Sequence, residues 1–311
     1  MAGRTLDLDL DLDLDLDLGA RGGRSMGASM RFNTEDWSKL TPISPPNIKV
    51  PKLRYSADWD KEMRTWAYVQ EFILEGGWTG TPVSDIYDLI HTQTDFPVPN
   101  DAGAAKAITT TAQFTPEVHY LLGAALNRAD RAHEIVDQAS GNGALGYWTG
   151  MLRLNPAKDK NSFMLMLIAR KIGEYVAMGL KDIYKMRRPA QVYPLIMPII
   201  DGPDTPSYPS SHALQAHMIS GVLKLALGVQ SQTPLPVTWP PVDSTAEALD
   251  YLASRIAENR EIAGVHYRMD SQCGQFAAHQ CLGVINTLAT TSGNMFEGLL
   301  KEATKELKDL A

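Results

Sequence analysis

Basic side chains cluster in the sequence KDIYKMRRP, residues 181–189, which we call the first segment. Lys181 and Arg188 lie about two helical turns apart, so an unbroken helix would project both cations from one face. Such a pair favours an anionic ligand. A solvated basic helix end explains the same pattern, because positive charge suits a helix C-terminus. Taken alone, the first segment favours this second interpretation.

Prolines and serines precede an apolar run in PSYPSSHALQAH, residues 206–217, the second segment. Ser210 and Ser211 stand where a helix N-cap is typical. Their hydroxyls and the free N–H groups of the first turn form a site for a tetrahedral oxyanion, and His212 lies in that turn. The competing interpretation is a capped helix with a packed histidine. His217 is predicted to point elsewhere on the helix and to be structural.

A histidine and an aspartate are spaced for a hydrogen bond in NREIAGVHYRMD, residues 259–270, the third segment. Arg260 is predicted near the end of a helix that Gly264 breaks. Asp270 follows His266 by four positions, so its carboxylate can accept the Nδ1–H and leave Nε2 as a nucleophile or ligand. Considered by itself, this segment also fits an ion pair on a surface helix.

Together the three segments supply the groups that phosphoryl transfer needs. Cationic donors bind the equatorial oxygens, an imidazole attacks phosphorus in line, and an acid protonates the leaving group. This chemistry needs no metal ion. The sequence therefore predicts that the three segments, although distant in sequence, surround a single tetrahedral oxyanion.

The pattern K-x6-R-P, P-S-x-H and R-x5-H-x3-D resembles the type 2 phosphatidic acid phosphatase superfamily. That group joins bacterial non-specific acid phosphatases, lipid phosphatases and vanadium-dependent haloperoxidases. The likeness covers about residues 160–285 and is carried by Lys181, Arg188, Pro189, Ser210, His212, Arg260, His266 and Asp270. It implies an all-α fold, a helical bundle of the acid phosphatase/vanadium haloperoxidase type.

Two positions depart from the superfamily's pattern. Ser211 stands where glycine is usual; its N–H can still hold the oxyanion, while its side chain crowds the pocket or adds a donor. Asn259 replaces the usual serine before the arginine of the third segment and keeps a polar side chain there. Both departures leave the anion site intact in our interpretation.

We expect the residues of this pattern to divide into an anion-binding group and a catalytic group. His266, oriented by Asp270, is the expected nucleophile, and His212 is the expected acid that later activates water. The expected phosphate or vanadate donors are Lys181, Arg188, the Ser210 hydroxyl, the Ser211 N–H and Arg260.

Three functions are compatible with these residues. The first is a phosphoester hydrolase that acts on a small-molecule phosphoester through a phosphohistidine and requires no cofactor. The alternative is a haloperoxidase that uses vanadate on His266 to oxidise halide with hydrogen peroxide. The stretches PSYPSSHA and ENREIAGVHY look closer to soluble bacterial haloperoxidase-like proteins. The third is a helical protein that binds phosphate without catalysis.

Helical periodicity dominates the chain outside these segments and predicts an all-α bundle of six or more helices, with no convincing strands. A Gly-rich turn is predicted near residue 141, leading into a short helix. The other predicted helices cover residues 57–75, 85–91, 115–139, 162–185, 210–227, 245–262, 266–291 and 295–311, with loops at 190–209 and 230–243.

The N-terminal region has a different composition. Residues 1–31 contain an unbroken Leu-Asp alternation and are predicted to be a disordered or low-complexity arm, with an edge strand as the alternative. Residues 32–56 are Pro-rich and predicted as an extended lead-in. Residues 57–311 are predicted to form a single all-α catalytic domain.

Composition excludes several classes of protein. The net charge of −7 argues against nucleic-acid binding through a broad basic surface. No apolar run approaches the length of about 18 residues that a membrane span needs, so no transmembrane segment is predicted. The start of the chain lacks the basic and apolar regions of a signal peptide. With only two cysteines, both on one predicted helix and too far apart to bridge, we expect a cytoplasmic protein.

Overall fold

A computed structural model describes residues 61–139, 141–229 and 244–308, and these residues are predominantly helical. The helices are α1 (Lys61–Glu75), α2 (Pro82–His91), α3 (Thr111–Ala124), α4 (Arg128–Asp137), α5 (Gly141–Met151), α6 (Lys160–Tyr184), α7 (Pro189–Val192), α8 (Ser211–Leu227), α9 (Thr245–Ala263), α10 (Arg268–Thr290) and α11 (Met295–Leu307). Two residue pairs, β1 (Val98–Pro99) and β2 (Ala107–Ile108), form a short parallel ladder.

The prediction of an all-α fold is confirmed. The predicted arm, the lead-in and the loop at 230–243 lie outside the described residues. In the described ranges, no helix combines the length and the apolarity that a bilayer span requires. The Gly-rich stretch predicted as a turn is itself the beginning of α5.

One helix predicted over residues 115–139 is wrong. The chain forms α3 and α4 there, joined by a 3₁₀ turn at Ala125–Asn127. α3 also begins earlier, at Thr111, because the Gln113 side chain accepts the Thr110 N–H at 3.0 Å and caps the first turn. Pro116 therefore lies inside α3 and not in its first turn.

Helix α8 is buried on most of its circumference and packs against α6, α9 and α10. A helix that is apolar all round belongs in the interior of a bundle. Its N-terminus lies directly on α10 at Gly274, where an added Cβ would come within 2.7 Å of the Ser210 carbonyl oxygen. The small residue on α10 thus allows the second segment to reach the third.

The prediction that Lys181 and Arg188 share a helix face is wrong. α6 ends at Tyr184, and Lys185 adopts a left-handed conformation with φ 47°. Arg188 is extended, with φ −71° and ψ 157°, as the residue before a proline prefers, and it becomes the N-cap of α7. The two cations therefore approach the same region from a helix and from the loop that follows it.

A glycine turn separates the two functional halves of the third segment. Gly264 ends α9 with φ 84°, a conformation that glycine adopts without a steric penalty. An added Cβ would also come within 2.7 Å of Arg128 and 2.8 Å of Ile196. The turn places Arg260 in the last turn of α9 and His266 just before α10.

Candidate functional site

The residues predicted from the three segments lie at one end of the bundle, where α6 ends and α8 and α10 begin. Nearly all are buried; His212 is partly exposed. Hydrogen bonds tie the ends of these elements together, as described below for each side chain. The residues concerned are Lys181 on α6, Arg188 at the start of α7, Ser210, Ser211 and His212 at the start of α8, Arg260 on α9, His266 before α10 and Asp270 on α10.

The two ring nitrogens of His266 have different partners, and these partners fix its tautomer. Arg188 Nη1 lies 3.1 Å from Nε2, and a guanidinium can only donate. Nε2 therefore accepts, so the proton is on Nδ1, which lies 2.9 Å from Asp270 Oδ2. The unshared pair on Nε2 consequently points at a cation.

Burial lowers the pKa of His266 well below its ordinary value, and the positive charges of Arg188 and Lys181 lower it further. The ring is 2% exposed, so little water screens these charges. His266 is therefore a neutral imidazole at neutral pH, the form in which Nε2 is a nucleophile or a ligand.

Asp270 receives its donors on a single oxygen. Besides the His266 ring, Oδ2 accepts from Ser207 Oγ at 2.5 Å and from the Tyr267 N–H at 3.0 Å. Oδ1 is buried without a hydrogen-bond partner among the described residues. Burial raises the pKa of Asp270 to about 7, although the bonds from Ser207 and Tyr267 act in the opposite direction.

Main-chain contacts hold this aspartate against the second segment. The Asp270 carbonyl oxygen accepts the Ser210 N–H at 3.0 Å, so the beginning of α8 is fixed to the first turn of α10. Ser210 then acts as the N-cap of α8, since its Oγ accepts from the Ala213 N–H at 3.3 Å. Ser207, which the sequence interpretation missed, completes the link through its side chain.

The two cations of the first segment donate to main-chain carbonyl oxygens of the second segment and of Thr205, the residue just before it. Lys181 Nζ donates to the Pro206 carbonyl oxygen and, at 3.4 Å, to that of Ser207. Arg188 Nε donates to the Thr205 carbonyl oxygen at 2.9 Å. These contacts hold both charges beside His266.

Arg260 is 1% exposed and only partly satisfied by the protein. Its Nη2 donates to the Ile135 carbonyl oxygen near the end of α4, at 2.8 Å. Its Nε and Nη1 are buried and have no hydrogen-bond partner in the described ranges. Burial lowers the pKa of Arg260 to about 10, so it is still a cation at neutral pH. Buried donors without partners are costly, and an acceptor bound beside them would remove that cost.

The two residues at the start of α8 differ in exposure. Ser211 is 6% exposed, and its Oγ is buried without a partner among the described residues. His212 is partly exposed, and its charge also lowers the pKa of His266. His212 is thus placed between the buried cluster and solvent.

Asn259 performs a different task from its neighbour Arg260. Its side chain is buried and binds Glu134 Oε2 at 3.1 Å and Gln138 Oε1 at 2.9 Å, and it accepts from Arg131 at 3.0 Å. These bonds attach α9 to α4. Asn259 therefore contributes to helix packing.

The cluster combines three cationic side chains with a neutral imidazole in a buried setting. Of the described residues, no group of three or more His, Cys, Asp or Glu side chains has an arrangement that could hold a metal ion. Positive charge is unfavourable in a buried site, so an anion bound here would be stabilised by charge and by the two Arg260 donors that have no partner among the described residues. The geometry fits an oxyanion with several acceptor oxygens.

Comparisons with known proteins give no match: no model of a protein family matches the chain, and a search of curated proteins finds no significant relative.

Proposed function

We propose that this protein is a phosphoester hydrolase in which His266 forms a covalent phosphohistidine. The observation that carries the proposal is the environment of His266. Its Nδ1–H is bound to Asp270 at 2.9 Å, and its Nε2 accepts from Arg188 at 3.1 Å. A neutral imidazole with one nitrogen oriented by a carboxylate and the other facing cations suits attack on a phosphoryl group. The resemblance to the type 2 phosphatidic acid phosphatase superfamily supports the same assignment.

In the first step, the Arg188 N–H moves from Nε2 to a phosphoryl oxygen, and the freed Nε2 lone pair of His266 forms the N–P bond as the P–O bond to the leaving group breaks. Protonated His212 gives its proton to the departing alkoxide. Lys181 and Arg188 supply positive charge as negative charge shifts to the equatorial oxygens. Asp270 keeps the Nδ1 proton in place while the ring becomes positive.

In the second step, water attacks phosphorus and transfers a proton to His212 while the N–P bond breaks. Phosphate leaves, and His266 returns to its neutral form. Arg260 Nε and Nη1 have no other partner within the described residues and are the donors that we assign to a phosphoryl oxygen in both steps. The reaction requires no metal ion or organic cofactor.

Vanadate has the shape and charge of phosphate, so Lys181, Arg188 and Arg260 are equally suited to hold it. Bound there, vanadate would supply peroxide activation, which is the haloperoxidase alternative. The same donor set would also serve a protein that binds phosphate without turnover. Activity measurements separate the three functions.

The test is hydrolysis of an aryl phosphate by the purified chain, with bromination of a chromogenic acceptor by peroxide measured after incubation with vanadate. We expect phosphate release that His266→Ala abolishes while the fold is retained. Bromination without phosphate release would replace our proposal by the haloperoxidase function. Phosphate binding with neither activity would leave the non-catalytic function.

His212→Ala tests the role of the acid. Its removal should slow hydrolysis of esters with poor leaving groups much more than of esters with good ones, because only the former need a proton as the bond breaks. Rates for a series of substituted phenyl phosphates give this comparison. Equal losses across the series would contradict the assignment of His212.

A further inference from the structure

The guanidinium of Arg188 is held on the edge that faces away from His266. Nε donates to the Thr205 carbonyl oxygen at 2.9 Å, and Nη2 donates to Thr205 Oγ1 at 3.0 Å. One residue thus binds two nitrogens on the same side of the planar group. Thr205 lies outside the sequence pattern of the three segments.

The opposite edge of the same guanidinium carries the functional contacts. Nη1 donates to the Val265 carbonyl oxygen at 3.0 Å and lies 3.1 Å from His266 Nε2. A guanidinium has five N–H donors in fixed directions, so holding one edge determines where the other edge points. The Arg188 Nη1–H that faces His266 Nε2 is therefore the N–H of this guanidinium best placed to contact a phosphoryl group bound to Nε2.

We propose that Thr205 is a positioning residue that aims Arg188 at the phosphoryl group, an inference that rests on the proposed function. The arginine side chain has many rotamers, and ordering it on binding costs free energy unless the protein already holds it in place. Thr205 restricts those rotamers before the substrate binds. Its hydroxyl contributes to affinity and rate through Arg188 and does not touch the substrate.

The chain between Arg188 and Thr205 is held in place independently of the Thr205 hydroxyl. Residues 189–204 lie mostly at the surface, and the hydrogen bonds between Arg188 and Thr205 join the two ends of this segment. Arg128 holds the middle of this segment by donating to the carbonyl oxygens of Ile196 at 2.9 Å and Met197 at 2.7 Å. Because Arg128 holds residues 189–204, loss of the Thr205 hydroxyl removes the acceptor of Nη2 without releasing this segment, while Nε keeps its bond to the Thr205 carbonyl oxygen.

The variants Thr205→Val and Thr205→Ser test the proposal in the full chain. Valine matches the shape of threonine but lacks the hydroxyl, whereas serine keeps it. We expect Thr205→Val to lower both kcat/KM for an aryl phosphate and the affinity for inorganic phosphate by about tenfold, the effect of one hydrogen bond to a charged group. Thr205→Ser should stay within about threefold of the wild type.

A double-mutant cycle distinguishes positioning from a general effect on the fold. In the Arg188→Ala background, Thr205→Val should change phosphate affinity by less than about twofold, because the guanidinium that Thr205 positions is then absent. Thr65→Val serves as a matched control. Thr65 is a buried threonine on α1 whose Oγ1 binds the Lys61 carbonyl oxygen at 2.8 Å. It contacts Met164 near the beginning of α6, whereas Lys181 lies near the end of that helix. Thr65→Val should leave phosphate affinity unchanged.

Each outcome decides a different point. Phosphate affinity that Thr205→Val leaves unchanged would overturn the positioning role alone, as would an equal loss with and without Arg188. An equal loss in the serine and valine variants would also overturn it, since the hydroxyl would then be irrelevant. A wild-type protein that binds neither phosphate nor vanadate would overturn the proposed function and this proposal with it.

Discussion

A hydrogen bond from Ser207 lowers the pKa of Asp270 and opposes the larger effect of burial, which raises it. Ser207 Oγ lies 2.5 Å from Asp270 Oδ2, and both residues are 0% exposed. A hydrogen bond to a charged group is worth about 1.5–3 kcal/mol, and one pKa unit corresponds to about 1.4 kcal/mol. Ser207→Ala should therefore raise the pKa of Asp270 by about one to two units above its present value of about 7.

The sign of the effect on activity follows from the charge of Asp270. The proposed nucleophile needs the carboxylate, so kcat/KM should rise with pH as Asp270 ionises. In Ser207→Ala the midpoint of this rise should move to higher pH by about one to two units. Because about half of Asp270 is ionised at pH 7 before the substitution, kcat/KM at that pH should fall by about 5- to 50-fold. At a pH above both midpoints the two proteins should approach each other.

The assay is the pH profile of kcat/KM with one aryl phosphate, whose own titration is common to both proteins. Ser162→Ala is the matched control, because Ser162 is equally buried and its Oγ binds the Glu306 carboxylate at 2.8 Å. Ser162 lies at the beginning of α6, whereas Lys181 is near the end of that helix. Ser162→Ala should lose stability without a shift of the midpoint. A Ser207→Ala profile that is lowered equally at every pH, with an unshifted midpoint, would refute this reasoning.

Two further predictions concern stability and packing. Burial lowers the pKa of His217 to about 3. Below about pH 6.5 the unfolded chain therefore binds a proton at this residue that the folded chain does not bind. The free energy of unfolding consequently falls on acidification below that pH, by up to about 1.4 kcal/mol per pH unit. His217→Gln should show a correspondingly shallower loss in denaturant unfolding between pH 6.5 and pH 4, and equal slopes would contradict the burial argument. Gly274→Ala should cost about 1–3 kcal/mol and weaken phosphate binding, because its Cβ would approach the Ser210 carbonyl oxygen to 2.7 Å. Gly283→Ala on the same helix, with no atom within 4 Å of the added Cβ, is the control that should keep full phosphate affinity.

Local rules predicted much of the site's framework. The serine before an apolar run identified the N-cap at Ser210, and the glycine in the third segment identified the end of α9. The four-residue spacing of His266 and Asp270 predicted their hydrogen bond. In each case the partners are close in sequence, so a short-range rule determines their geometry.

The features that the sequence did not reveal depend on distant partners or on a single backbone dihedral angle. The left-handed conformation of Lys185 separates Lys181 from Arg188, and lysine is not a residue type that signals such a turn. Ser207 binds an aspartate 63 residues away, and nothing local distinguishes it from the other serines of the second segment. Thr205 was missed for the same reason.

The most direct test of the account is to locate the phosphoryl group in a trapped intermediate. In His212→Ala, an aryl phosphate with a good leaving group should still phosphorylate the protein, while the second step lacks its base and the intermediate accumulates. Rapid quenching, alkaline digestion and mass spectrometry should find an acid-labile phosphoryl group on Nε2 of His266. A phosphoryl group on any other residue, or turnover with no covalent intermediate, would contradict the account.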